Sequence, residues 1–172
     1  VTGVQTCALP ILCTTRRVAG VGYPQFSALQ ECVPAAKEVG GGVQSDGGCV
    51  FPGDFSKALA VGADMVMAGS IFAGHDESEQ EISNGKVTFY GMSSHAAQKK
   101  HNQMKNYRAS EGRIVEIPYK GLVSHTISEI LGGIRSTCAY IGAQNVAEMP
   151  SKAQFIQVNN ILNRSLEQYT VR

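Results

Sequence analysis

The chain has no tryptophan, only 7% aromatic residues and almost no charge imbalance, with 15 lysines and arginines against 14 aspartates and glutamates in 172 residues. A net charge of +1 gives no electrostatic case for nucleic acid as a partner. No apolar run approaches the roughly 20 residues of a membrane helix, and the first dozen residues lack the charged start and apolar core of a secretory signal. No membrane partner is expected, and a cytoplasmic location is the default. The five cysteines, Cys7, Cys13, Cys32, Cys49 and Cys138, form no Cys-x-x-Cys pair and have no histidine at zinc-finger spacing. Neither a disulfide framework nor a structural zinc is indicated. His75, His95, His101 and His125 show no paired metal spacing, and each reads as a lone surface imidazole.

What is present is 43% hydrophobic content, enough for a core, and a regular rhythm. From Pro24 the pattern is helical, with Phe26, Leu29, Val33 and Ala36 on one face and Pro24 in the first turn. Pro34 removes a helical hydrogen bond and crowds the preceding turn, so a kink or early end is expected near Cys32. Gly40-Gly41-Gly42 then breaks the chain before a short strand, Val43 to Asp46. Pro52-Gly53-Asp54 opens a second helix with an acid at the positive end of its dipole; Ala58, Leu59 and Val61 face inward, and Gly62 stops it. A second strand, Asp64 to Ala68, ends in Gly69-Ser70 before another short helix. This is the βα rhythm of a parallel sheet or barrel, and rhythm alone does not separate the two.

Residues 75 to 120 read as an insertion. Glu81 to Phe89 carries a hairpin signal, because Asn84-Gly85 supplies the positive backbone angles of a two-residue turn. Ser93 caps a helix through Lys100, and His101 to Asn106 is polar and irregular. A longer helix is expected from about Leu122 to Ile141, where Val123, Ile127, Ile130, Leu131, Ile134, Cys138 and Ile141 recur at helical spacing, which makes Cys138 a core residue. Beyond Pro150 the chain reads as a surface tail, with residues 155 to 158 extended.

Three stretches carry chemistry. In Cys13-Thr14-Thr15-Arg16 the neighbouring positive charge favours the ionised sulfur, so Cys13 is a candidate nucleophile; a small buried cysteine is the competing account. Asp46 closes a strand, and Gly47-Gly48 lets backbone amides approach an anion. Taken alone, Glu111 is a solvated loop carboxylate and Arg135 a charge capping a helix face.

Cys13-Thr14-Thr15-Arg16 with Gly20-Val21-Gly22-Tyr23-Pro24-Gln25, Ser45-Asp46-Gly47-Gly48 with Pro52-Gly53-Asp54, Phe89-Tyr90-Gly91-Met92-Ser93-Ser94, Tyr107-Arg108-Ala109-Ser110-Glu111-Gly112 and Ile130-Leu131-Gly132-Gly133-Ile134-Arg135-Ser136-Thr137-Cys138 follow one another in this order. Together they resemble the C-terminal half of the IMP dehydrogenase and GMP reductase family, its GMP reductase branch in particular, from Cys13 to about Val158. The resemblance implies an α/β fold: the C-terminal part of a (β/α)8 TIM barrel, with its seventh and eighth strands here, Cys13 on the loop after the sixth, and a flap insertion at about 75–120. Such barrels typically take about 250 residues and place their chemistry at the carboxyl ends of the strands. Residues 1–12 do not share the likeness. Ala8, Leu9, Pro10 and Ile11 stand where the family has Gly-Pro-Gly-Ser, so the segment reads as foreign, a sequencing or cloning junction, with 13–158 the tail of a longer protein and 159–172 a C-terminal extension.

The activity so implied is NADPH-dependent reductive deamination of GMP to IMP and ammonia, a step of purine nucleotide salvage, through a covalent bond between Cys13 and carbon 2 of the purine. Thr15 and Glu111 would carry the proton that ammonia needs. The resemblance assigns the nucleotide to Asp46, Gly48, Gly69, Ser70, Met92, Ser93, Arg108, Ser110 and Gly112, and the cofactor to Met92, Tyr107, Arg108, Ser136 and Tyr140. Ser70 stands where the family usually has a second glycine. The family also holds a potassium ion near the equivalents of Cys13 and Arg16, but Ala8 and Pro10 replace its two glycines, so the ion is not assumed. A homotetramer is implied. IMP dehydrogenase, converting IMP to XMP with NAD, is the nearest rival; it usually places an arginine-tyrosine pair in its flap, whereas here the order is Tyr107-Arg108 beside an acid. A third reading is a catalytically incomplete barrel that only binds nucleotide or associates with an intact subunit.

Overall fold

The computed structural model describes residues 20–78, 80–90 and 114–158. Its order is α1 (Gln25–Glu38), β1 (Gln44–Asp46), α2 (Pro52–Val61), β2 (Met65–Met67), a 3-10 turn at Ser70–Phe72 and another at Asp76–Ser78, then β3 (Ile82–Ser83), β4 (Lys86–Tyr90), β5 (Ile114–Pro118), α3 (Val123–Ile141), a 3-10 turn at Val146–Glu148 and α4 (Met149–Lys152). β1 and β2 pair in parallel, with Gln44, Ser45 and Asp46 opposite Met65, Val66 and Met67. β3, β4 and β5 form a separate antiparallel sheet.

Local chemistry fixes the ends of these elements. In α2, Pro52 occupies the first turn, where a missing N–H costs nothing. The Asp54 carboxylate accepts from the amides of Val50 and Phe51, both at 3.0 Å. Gly62 closes the helix in the left-handed conformation, passing the Ala63 amide to the Ala58 carbonyl at 3.1 Å. α3 borrows its start from elsewhere: the Glu77 carboxylate accepts from the Val123 amide at 3.0 Å. Asn84 and Gly85 both take positive φ, 50° and 69°, and so turn β3 into β4 as their sequence demands.

Among the described residues, helices cover one face of the parallel pair and leave the other open. Side chains alternate along a strand, so Ser45 and Val66 face the helices while Gln44, Asp46, Met65 and Met67 share the opposite face. Ser45 is completely buried and Val66 packs against the clusters around Leu29 and Phe55. Met65 and Met67, by contrast, are 61% and 49% exposed. The core runs from Leu29, Val33 and Ala58, between α1 and α2, through Cys49, Phe55 and Ile130 to Ala60, Ala143 and Met149 under α4. Full burial of side chains the size of Leu29, Phe55 or Ile130 contributes about 1.5 to 3 kcal/mol each, which holds α1 and α3 against α2.

Three expectations need correction or completion. Pro34 neither ends nor shortens α1, which continues to Glu38. Its ring lies on the solvent side, while Ala28, Leu29 and Val33 keep the buried face continuous, so packing outweighs the lost bond. His75 is not a surface imidazole: it is 3% exposed and hydrogen-bonded at both ring nitrogens. Residues 114–118 form a strand, β5, registered against all of β4 from Lys86 opposite Pro118 to Tyr90 opposite Ile114. Cys138 is half-buried and packs against the Ala60, Ala143 and Met149 cluster, and Phe155 sets its ring edge-on to Phe26 at 4.7 Å. The expected helix at 93–100 lies outside the described residues.

Candidate functional site

Because β1 and β2 are parallel and in register, their carboxyl ends lie side by side. The turn Gly47-Gly48 leaves β1, and Gly69-Ser70 leaves β2. Gly47 and Gly48 take φ of 87° and 81°, two consecutive left-handed residues that a side chain would strain. The Gly47 amide donates to the Met67 carbonyl at 3.2 Å and so ties one turn to the other strand. Among the described residues, no hydrogen bond takes up the amides of Gly48, Gly69 or Ser70. Amides turned outward at a strand end are what an anionic group such as a phosphate requires. Asp46, one residue before the first turn, is half-buried on the open face shared with Met67.

Two cavities flank these turns. The first, about 280 Å³, is lined by Pro24, Gln25, Phe26, Ser45, Gly47, Gly48, Cys49, Asp54, Lys57 and Ala58. It lies between the starts of α1 and α2, where the Gln25 amide donates to the Ser45 hydroxyl at 3.1 Å and Lys57 pairs with Asp54 at 3.6 Å. The second, about 200 Å³, is bounded by Val50, Ser70, Ile71, Phe89, Val115, Ile117, Pro118 and Lys120. Both are small beside the roughly 300 to 1,000 Å³ typical of small-molecule pockets. In the second, the Lys120 ammonium donates to the Ile71 carbonyl at 3.1 Å, and burial holds its pKa below the usual lysine value. In the first, burial and then the Asp54 carboxylate push the Cys49 thiol up to about 11, which makes it an unreactive wall rather than a nucleophile.

The structure thus brings together Asp46, Gly48, Gly69 and Ser70, four of the residues expected to hold a nucleotide. Ser136 and Tyr140 lie apart from them, one turn from each other on the solvent face of α3, with Tyr140 90% exposed. Cys13, Thr15, Arg16, Met92, Ser93, Tyr107, Arg108, Ser110, Glu111 and Gly112 lie outside the described residues, and with them the potassium position. Among the described residues no cluster of three or more histidine, cysteine, aspartate or glutamate side chains could hold a metal, and no helix is long and apolar enough to cross a membrane. Gln25 and Lys57 were not legible as cavity residues, because each comes from a helix whose sequence shows only its apolar stripe.

A parallel βαβ unit with paired glycine turns and an acid at the carboxyl strand ends defines an α/β protein whose candidate site lies at those strand ends. More particularly, the chain belongs to the family of the IMP dehydrogenase / GMP reductase domain, whose model matches residues 10–165. It is 55% identical over 158 residues to a GMP reductase of Phytophthora infestans, covering 88% of this chain and 43% of the relative. A GMP reductase of Caenorhabditis elegans is 54% identical over 157 residues, covering 88% of this chain and 44% of that protein. The chain therefore spans less than half the length of these curated relatives. Among solved structures, a cysteine-to-alanine variant of GMP reductase from Trypanosoma brucei in complex with guanosine 5'-monophosphate superposes with a TM-score of 0.81 at 32% identity, covering 89% of this chain and 33% of that one.

Proposed function

We propose that this chain forms the carboxyl-terminal part of an NADPH-dependent GMP reductase with a TIM-barrel fold, converting GMP to IMP and ammonia. The observation that carries the reading is the pair of glycine turns at neighbouring strand ends beside Asp46, in a chain similar to GMP reductases over most of its length. The turn amides of Gly48, Gly69 and Ser70 bind the nucleotide phosphate, and the Asp46 carboxylate accepts from the ribose hydroxyls. Met92, Ser93, Arg108, Ser110 and Gly112 hold the base.

In the proposed reaction the Cys13 thiolate adds to carbon 2 of the purine, and the exocyclic amino group leaves as ammonia with a proton from Glu111, relayed beside Thr15. A hydride then adds to the same carbon, the bond to sulfur breaks, and IMP leaves as the thiolate is restored. Splitting the substitution into two steps is the gain of covalent catalysis. NADPH supplies the hydride when bound. Ser136 and Tyr140 fit such a group, since their hydroxyls reach outward from successive turns of one exposed helix face, suited to phosphate or ribose; Met92, Tyr107 and Arg108 complete the set. Glu111 reaches the substrate only if the insertion folds over it. Purine salvage, a cytoplasmic setting and a homotetramer accompany this reading. One observation favours a second reading, a barrel portion that binds nucleotide only beside an intact subunit: the face bearing Met65 and Met67 is uncovered.

The test mixes the purified chain with GMP and NADPH and follows absorbance of the reduced nicotinamide, with Cys13→Ala and Asp46→Ala controls and parallel wells of IMP with NAD. Oxidation that needs GMP and Cys13, with the GMP KM raised about tenfold or more in Asp46→Ala, is the expected outcome. Activity only with IMP and NAD would overturn the reductase assignment, and silence in all wells would favour the second reading.

A further inference from the structure

We propose that His75 is a positioning residue: a buried imidazole that pins both ends of the 75–120 insertion to the first turn of α3. Where turnover is concerned, this rests on the reductase reading above. Its Nδ1 lies 3.0 Å from the Gly121 carbonyl, 46 residues further along the chain. A carbonyl can only accept, so Nδ1 carries the proton, and Nε2 is left to accept from the Thr126 hydroxyl at 3.1 Å. With both nitrogens satisfied inside a 3% exposed side chain, the ring has one orientation.

Neighbouring bonds join the same two ends. The Asp76 amide donates to that Gly121 carbonyl at 3.1 Å, and the Lys120 amide donates to the Gly74 carbonyl at 2.8 Å. The Tyr119 hydroxyl donates to the Asp76 carboxylate at 2.6 Å, and Glu77 caps α3. On the entry side, the Ser78 hydroxyl accepts from the His75 amide at 3.1 Å and lies 2.8 Å from its carbonyl. From this base the paired strands β4 and β5 run out to Tyr90 opposite Ile114. A tilt at His75 is therefore delivered to the two residues between which Glu111, the proposed proton donor, falls in sequence. His75 touches no substrate in this account and acts through the strands it anchors.

The discriminating pair is His75→Asn and His75→Gln. An asparagine amide nitrogen stands where Nδ1 stands and keeps the bond to Gly121; a glutamine reaches the Nε2 position and loses it. Hydrogen exchange in His75→Gln should speed up about tenfold at residues 74–78 and 119–123, with α1 and α2 unchanged. Its kcat with GMP and NADPH should fall about tenfold while the KM for GMP stays within about twofold, and His75→Asn should restore both. Indistinguishable Asn and Gln variants, or faster exchange spread over α1 and α2, would reduce His75 to an ordinary core residue and overturn the proposal. Nitrogen-15 imidazole spectra of the unsubstituted chain give an independent reading: an Nε2-protonated ring would also overturn it. Absence of GMP-dependent oxidation in the unsubstituted chain bears on the reductase reading and not on His75, and exchange and tautomer then decide the pin by themselves.

Discussion

Cys49 and Cys13 show how far one residue type can be read from its neighbours. Cys13 stands beside Arg16 in sequence, whereas nothing around Cys49 in sequence announces a thiol whose pKa is raised from 9.0 to about 11 by burial and by Asp54. The native state therefore binds more protons than the unfolded chain between pH 9 and about 11, and stability falls as pH rises through that window. Unfolding midpoints of the wild type should drop more between pH 8 and pH 10.5 than those of Cys49→Ala; equal drops would show that the thiol is not the cause. Tyr23 and Tyr119, raised by their bonds to Glu31 and Asp76, act in the same direction in both proteins and cancel in the comparison. Within the candidate site, Gly47-Gly48 beside Asp46 follows from a local strand-end and glycine pattern and Gly69 and Ser70 from the family resemblance, while Gln25, Lys57 and His75 acquire their roles from residues up to 51 positions away.

At the scale of elements, α2 and α3 meet where Gly133 lies against Pro52. A methyl group on Gly133 would come within 2.9 Å of the Pro52 Cβ, part of a ring that cannot swing aside, whereas one on Gly132 would meet nothing within 4 Å. Gly132→Ala should therefore stabilise by about 1 kcal/mol through helix propensity alone. Gly133→Ala should gain the same propensity and lose about 1 to 3 kcal/mol to overpacking, ending net destabilised or neutral. Denaturant melts of the two variants check the contrast, and a Gly133→Ala protein as stable as Gly132→Ala would remove the close approach from the argument. The same distinction explains which elements the sequence announced. α2 is bounded by Pro52 and Gly62, and the first hairpin by Asn84-Gly85, because each boundary is written either in proline's fixed φ or in residues that tolerate the positive φ the turn requires. Pro34 was misjudged and β5 was not read at all because tertiary partners decide both: α2 holds the buried stripe of α1 past the proline, and β4 recruits Ile114–Pro118, whose Val115 and Ile117 alternate with exposed neighbours.

Among the described residues the parallel pair is helix-covered on one side only, and the open side carries Met65 and Met67 together with Asp46. In the proposed barrel this side is the interior, filled by side chains from the other strands. Its exposure here, in a chain spanning less than half of its curated relatives, makes the surface readable by experiment. Exposed apolar side chains at a strand pair recruit any apolar partner, so the chain alone should brighten a hydrophobic dye and tend to self-associate. Co-refolding with the amino-terminal portion of the Phytophthora infestans relative should quench that signal as complementary strands cover Met65 and Met67. Met67→Lys should lower dye binding of the chain alone and weaken the quenching partner's hold, because a charge would then have to enter the closed interior. Dye binding that is low from the start, or that the added strands leave unchanged, would mean that this side is satisfied within the chain and that the barrel setting is wrong. Quenching accompanied by GMP-dependent oxidation of NADPH would join the fold and the function in one measurement, since the turns at Gly48 and Gly69 would then lie at the mouth of a closed barrel.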